Sequence, residues 1–194
     1  MTTQTGTSGA DTLTGRAGGL SDTLIGGRGN DTLIGLSGDD YLLGGRDNDL
    51  LIGGRGSDVL SGGSLLTVGA GNDVDTFEFS SGHITNGTID WIVDFSIANG
   101  DVLKFLNSGS GAFEIMSVDR AYVTNTMHNG IDLDNNVSTG TDLIFTVRNA
   151  GTNETQKIVL LDAWSGTLAP QWDAYLVSLG YTGELGANNG DVFL

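Results

Sequence analysis

Asp22, Asp31, Asp40, Asp49 and Asp58 recur at intervals of nine residues, and each is followed two places later by a leucine: Leu24, Leu33, Leu42, Leu51 and Leu60. Written as nonapeptides, the stretch reads AGGLSDTLI, GGRGNDTLI, GLSGDDYLL, GGRDNDLLI and GGRGSDVLS. A looser copy, GTSGADTLT with Gly9 and Asp11, precedes them at an offset of two extra residues. Another, GAGNDVDTFEF with Gly71, Asp73 and Asp75, follows an insertion over residues 64–68. Periodic carboxylates are hard oxygen donors, and the glycines beside them let main-chain carbonyls approach an ion closely. Such an all-oxygen set suits Ca²⁺ and disfavours zinc. The candidate ligand positions are Asp11, Asp22, Asp31, Asp40, Asp49, Asp58 and one or both of Asp73 and Asp75. The turn glycines that shape them are Gly9, Gly26, Gly27, Gly29, Gly35, Gly38, Gly44, Gly45, Gly53, Gly54, Gly56 and Gly71.

The spacing also dictates the elements that must hold these groups. Side chains alternate faces along a strand, so in a short strand after each Asp the leucine points inward while its neighbours point out. The six remaining residues reverse the chain. Two nonapeptides then complete one coil, and turns eighteen residues apart stack at about 4.8 Å. One flank stacks Asp22, Asp40 and Asp58; the other stacks Asp11, Asp31, Asp49 and Asp73 or Asp75. An ion between each stacked pair gives about four or five Ca²⁺, which offset about ten of the sixteen net negative charges. A flexible acidic linker has a similar composition, but it has no reason to keep Asp and Leu in register at a nine-residue period.

GGRGNDTLI and GGRGSDVLS resemble the calcium-binding nonapeptide of the RTX (hemolysin-type) proteins. That resemblance implies a right-handed parallel β-roll, unfolded without calcium, in a protein exported by a type I secretion machinery. Three turns depart from the motif: Leu20, Leu36 and Asp47 stand where glycine is expected.

The composition fits this picture. Against 24 Asp and Glu there are 8 Lys and Arg, which argues against a nucleic-acid partner. Glycine, at 32 of 194 residues, is about twice its usual share, and there is one proline. With no cysteine there is no disulfide or thiolate chemistry. The first residues, MTTQTGTSGAD, lack the basic-then-apolar pattern of a cleaved leader, and no run approaches the roughly 18 apolar residues of a membrane helix, so membrane insertion is not expected.

After the repeats the chain becomes richer in β-branched and aromatic residues. The expected organisation is a roll over residues 1–79 and a β-rich, sandwich-like region over 80–194, packed on the roll or continuous with it. Strands are expected over 90–95, 102–105, 113–118, 143–147 and 157–161. One helix is expected, with Pro170 in its first turn, Trp172, Tyr175, Leu176 and Leu179 on one face, and Gly180 at its end. The fold class is thus all-β with one short helix. TIDWIVDFSIANGDVLKF resembles the segment that follows the roll in serralysin-type proteases and in the R-modules of alginate epimerases. The final Asp191, Val192, Phe193 and Leu194 resemble the uncleaved export signal of serralysin-like type I substrates.

Catalysis finds little support. His83 and His128 belong to no HExxH zinc motif, and there is neither a GxSxG nucleophile elbow nor a phosphate loop. Asp132, Asp134 and Asn136 begin like an EF-hand loop, but its glycine is missing and Leu143 replaces the closing Glu. Arg28 and Arg46, eighteen apart, should stack on one flank, with Arg55 on the other, as turn charges or as a ladder for an anionic polysaccharide or cell surface. The sequence therefore predicts a secreted, non-catalytic calcium-binding protein acting as a surface, matrix or signalling component. The alternatives are a calcium-dependent polysaccharide-binding module, on the epimerase resemblance, and a membrane-active cation pore, on a resemblance to secreted nodulation calcium-binding proteins.

Overall fold

The fold is taken from a computed structural model that describes residues 1–63, 73–109, 111–124, 127–128, 131–133, 141–164, 169–181, 183 and 191–193. In chain order the strands are β1 (Thr2–Thr5), β2 (Thr12–Thr14), β3 (Asp22–Arg28), β4 (Thr32–Ser37), β5 (Tyr41–Arg46), β6 (Leu50–Arg55), β7 (Val59–Ser61) and β8 (Thr76–Ser80). They continue as β9 (Ile89–Ile92), β10 (Val102–Leu106), β11 (Phe113–Thr124), β12 (Met127–His128), β13 (Ile131–Asp132), β14 (Thr141–Asn149) and β15 (Thr155–Trp164). The helix α1 (Ala169–Ser178) and the strand β16 (Asp191–Phe193) complete the chain.

Consecutive repeat strands go to opposite sheets, and strands one coil apart pair in parallel. One sheet runs β1-β3-β5-β7-β9, with Leu24 on Leu42 and Leu42 on Leu60; the other runs β2-β4-β6-β8-β10, with Leu33 on Leu51 and Leu51 on Phe77. The inward residues fill the roll: Leu24, Leu33, Leu42, Leu51, Leu60, Phe77 and Ile92 are fully covered and Leu103 nearly so. Burying each such side chain is worth about 1.5–3 kcal/mol, so the leucine of every repeat stabilises the coil it closes.

The parallel ladders do not stop with the nonapeptides. β9 stacks on β7, and β10 on β8. From β9 the first sheet passes to β15 in parallel, then antiparallel to β14 and β11, which makes a nine-stranded sheet ending at β16. The roll and the second half thus share a sheet edge to edge. The five strands expected there appear as β9, β10, β11, β14 and β15, most of them longer than the apolar runs that announced them.

The helix α1 carries Pro170 near its start, and its Trp172 and Leu176 are buried. It ends as expected at Gly180, whose φ of 84° lets the Tyr181 and Gly180 amides donate to the Leu176 and Val177 carbonyls. Trp172 lies 5.6 Å from Phe95, ring centre to ring centre, and donates its indole N–H to the Ala163 carbonyl at 3.0 Å. The helix therefore plugs the end of the roll beside Phe77 and Phe95.

Candidate metal centre

Each repeat aspartate stands at the start of its strand or one residue before it, with its carboxylate turned along the stack, where it meets the main chain of the previous coil. On one flank the amides of Thr2, Asp22, Asp40 and Asp58 donate to Oδ1 of Asp22, Asp40, Asp58 and Asp90 at 3.1, 2.7, 2.8 and 2.9 Å. On the other, the amides of Asp11, Asp31, Asp49 and Asp75 donate to Oδ1 of Asp31, Asp49, Asp75 and Asp101 at 2.7, 2.7, 2.9 and 3.1 Å. The ladder position thus belongs to Asp75. Asp73 lies two residues before it and accepts from the Asp47 amide at 2.9 Å.

Asp90 and Asp101 extend these ladders beyond the positions singled out from sequence. Their signal was present: Asp90-Trp91-Ile92 and Asp101-Val102-Leu103 keep the Asp-x-apolar spacing of the repeats, but no glycine turn precedes them at the nine-residue period. Asp94, also missed, accepts from the Ser61 hydroxyl and from the amides of Gly62 and Gly63.

The second carboxylate oxygen separates the rungs. Oδ2 of Asp31, Asp40, Asp49 and Asp58 is buried and has no hydrogen-bond donor. Each faces the α-carbon of the glycine that opens its own turn: Gly26, Gly35, Gly44 and Gly53 respectively. A Cβ on any of these would collide with that oxygen, and on the first three also with a main-chain carbonyl of the next coil, from Gly44, Gly53 or Gly62. Oxygens from two successive coils therefore converge on a space that only a glycine leaves open. Asp75 and Gly62 repeat the arrangement one coil further on.

An unpaired buried carboxylate oxygen is costly, and the acidities show it. Burial, aided by neighbouring aspartates and opposed by the ladder hydrogen bonds, raises the carboxyl of Asp40 to about 6, of Asp49 and Asp75 to about 7 and of Asp58 to about 8. Asp90 and Asp94 are raised by burial as well. A cation removes this cost. The donors are carboxylate and carbonyl oxygens, which fit Ca²⁺. No group of three or more acidic or histidine side chains gathers among the described residues, so an ion here would take few carboxylates and complete its shell with turn carbonyls.

The other predicted turn residues fall into two groups. Gly27, Gly29, Gly38, Gly45, Gly54 and Gly56 have φ between 96° and 131°, stacked on the main chain of the coil before. Leu36 and Asp47 keep the left-handed path at φ 75° in spite of their side chains. A Cβ on Gly9 would meet nothing within 4 Å, and Gly71 lies outside the described residues.

The turn before Asp22 corrects the frame that begins at Ala17. Its opening glycine is Gly15, whose amide donates to Ile34 and which stacks against Gly35, and the two extra residues lie inside the turn. Gly18 and Gly19 take the positive φ there, at 108° and 73°, which leaves Leu20 exposed.

Arg28 and Arg46 are register partners in β3 and β5, both exposed, and neither forms an ion pair among the described residues. Arg55 donates to the Gly82 carbonyl at 2.8 Å. Burial and the Arg55 charge hold the pKa of His83 below the usual imidazole value, and the ring lines a small cavity with Glu78 and Gln156. His128 lies on β12 and Asp132 on β13, whereas Asp134 and Asn136 are outside the described residues. Asp191, Val192 and Phe193 form β16 and pair in parallel with Tyr122, Val123 and Thr124; Leu194 is outside the described residues.

Comparison with known families gives a match to the RTX calcium-binding nonapeptide repeat, in 4 copies, over residues 5–19, 16–51 and 43–64. No curated protein matches the chain.

Proposed function

We propose that this chain, whose residues 5–64 carry RTX calcium-binding nonapeptide repeats, is a secreted, non-catalytic component that folds outside the cell when Ca²⁺ enters the flanks of its roll. The observation that carries this reading is the set of four buried, donorless Oδ2 atoms on Asp31, Asp40, Asp49 and Asp58, each set against an open glycine. Repulsion among stacked carboxylates opposes the roll in calcium-poor surroundings. Ions bound only by the folded form supply the missing stability, by about 2.7 kcal/mol for each site at a free concentration one hundred times its Kd. Interior positions Asp31, Asp40, Asp49 and Asp58, with Asp75, account for about four or five ions.

The test is far-UV circular dichroism during calcium titration of chelator-treated protein, with Mg²⁺ as control. A cooperative gain of β signal with Ca²⁺ alone is expected; a β spectrum already complete in chelator overturns the switch. Export through a type I machinery follows from the same reading, because a chain unfolded at low calcium can be threaded. Removal of residues 191–194 should then leave the protein inside a host carrying the exporter, and undiminished secretion counts against it.

A second reading rests on the exposed Arg28–Arg46 pair, which forms a short basic ladder on an acidic protein. It would grip an anionic polysaccharide once calcium has folded the roll. Charge reversal of both arginines should abolish retention on a polyuronate column, and unchanged retention eliminates that surface.

A further inference from the structure

The interior rungs want a cation, but the first rung of the Asp22 flank already has one. Asp22 is fully covered. Its Oδ1 accepts from the Arg16 guanidinium through Nε at 3.1 Å and Nη2 at 2.9 Å, and from the Thr2 amide and hydroxyl; its Oδ2 accepts from the Arg16 amide at 2.7 Å. Asp40 and Asp58, the next rungs of the same stack, have no donor on Oδ2. Burial opposes ionisation of Asp22, yet these hydrogen bonds hold its carboxyl well below the usual carboxylate range.

The turn is built to bring the arginine in. Asp22 follows its opening glycine, Gly15, by seven residues, whereas Asp40 follows Gly35 by five, and Arg16 stands next to Gly15 in this longer turn, where its amide reaches Oδ2 as that of Thr7 does in the Asp11 turn. Because the Arg16 amide draws Oδ2 aside, a Cβ on Gly15 would lie 3.3 Å from it, while the same atom on Gly35, Gly44 or Gly53 would overlap its aspartate. The spare oxygen thus no longer points into the cradle. Other terminal rungs are closed by neutral donors. Thr7 serves Asp11, the Ser96 amide serves Asp101, and Gln156 of β15 serves Asp90.

We infer that Arg16 is a resident cation that takes the place of calcium at the Asp22 turn, so that this rung forms without metal and presents a finished edge on which the calcium-dependent coils stack. This inference rests on the calcium reading of the interior rungs. A guanidinium is suited to the role because it stays charged and offers a planar fork to a carboxylate. An ion pair with a covered carboxylate and a partly exposed guanidinium, taken at about a factor of ten in the folding constant and shared over about four cooperatively bound ions, moves the calcium midpoint by about twofold.

The experiment counts bound ions by equilibrium dialysis of the full chain against radioactive Ca²⁺. Asp22→Asn should bind as many ions as the parent, and Asp40→Asn one fewer; a loss of one ion by Asp22→Asn overturns the inference. Should Asp22→Asn not fold, Arg16→Gln decides. Either one additional ion or a calcium midpoint raised about twofold by circular dichroism supports the resident cation, and the parent's count together with the parent's midpoint overturns it. A parent that binds no calcium refutes the interior sites instead, so the two failures are distinct.

Discussion

Gly35→Ala is the sharpest probe of the calcium cradles. Gly35 does not occupy the left-handed region, so alanine can follow its backbone, and the cost comes from the space alone. The added methyl would stand 2.5 Å from Asp40 Oδ2 and closer still to the Gly53 carbonyl, against an ordinary contact of about 3.5 Å or more. It therefore occupies the place on which those two oxygens converge. If one ion is lost, the folded state forfeits about 2.7 kcal/mol at calcium one hundred times its Kd. For a chain of this length that corresponds to a fall of roughly 5–10 °C in Tm. Gly9→Ala is the matched control: nothing lies within 4 Å of its added methyl, so it should be neutral or stabilise by about 0.4–1 kcal/mol. Urea denaturation in saturating calcium, with ion counting by equilibrium dialysis, measures both. A Gly35→Ala protein with the parent's ion count and stability refutes the cradle, and equal losses at the two glycines place the cost in the chain rather than in the site.

Leu36→Gly should stabilise the calcium-loaded protein by about 1 kcal/mol, because glycine relieves a left-handed φ of 75° that costs a side-chain residue about 1–2 kcal/mol; a lower urea midpoint would contradict this. Trp172→Ala empties the plug at the roll's end and should cost about 3–5 kcal/mol, again read by urea denaturation, with a loss under about 1 kcal/mol showing that the helix is dispensable. In calcium-free buffer, stability should fall with rising pH. The carboxyls of Asp40, Asp49, Asp58 and Asp75 rise from 3.8 to between about 6 and 8 on folding, so the folded chain holds protons that the unfolded chain releases, and this contribution is present near pH 4 and lost through pH 6 to 8. Circular dichroism of the metal-free protein should then show more β structure at pH 4.5 than at pH 8, and identical spectra would disprove it.

The period of nine fixed the coil, the inward leucines and the pairing of turns eighteen residues apart, because alternation along a strand leaves one arrangement that buries every leucine. The helix was legible for the same local reasons, an apolar face bounded by Pro170 and Gly180. Calcium chemistry was legible too, since a hard oxygen set depends on which residues recur and not on what packs around them. What required the tertiary structure was everything decided by neighbours distant in the chain. Asp75 rather than Asp73 continues a ladder because the Asp49 amide, 26 residues earlier, points at it. Asp90 and Asp101 become rungs because β9 and β10 stack on β7 and β8 without the nine-residue period to announce them. The aspartates also divide by rank in the stack, which their identical motifs cannot express. Inside it Oδ2 has no donor, whereas at the ends it is satisfied by Arg16 and Ser96, each from the turn just before its aspartate, and by Gln156 from a remote strand. A repeat specifies its own shape, but a charge buried between repeats is stabilised by whatever the whole fold brings to it.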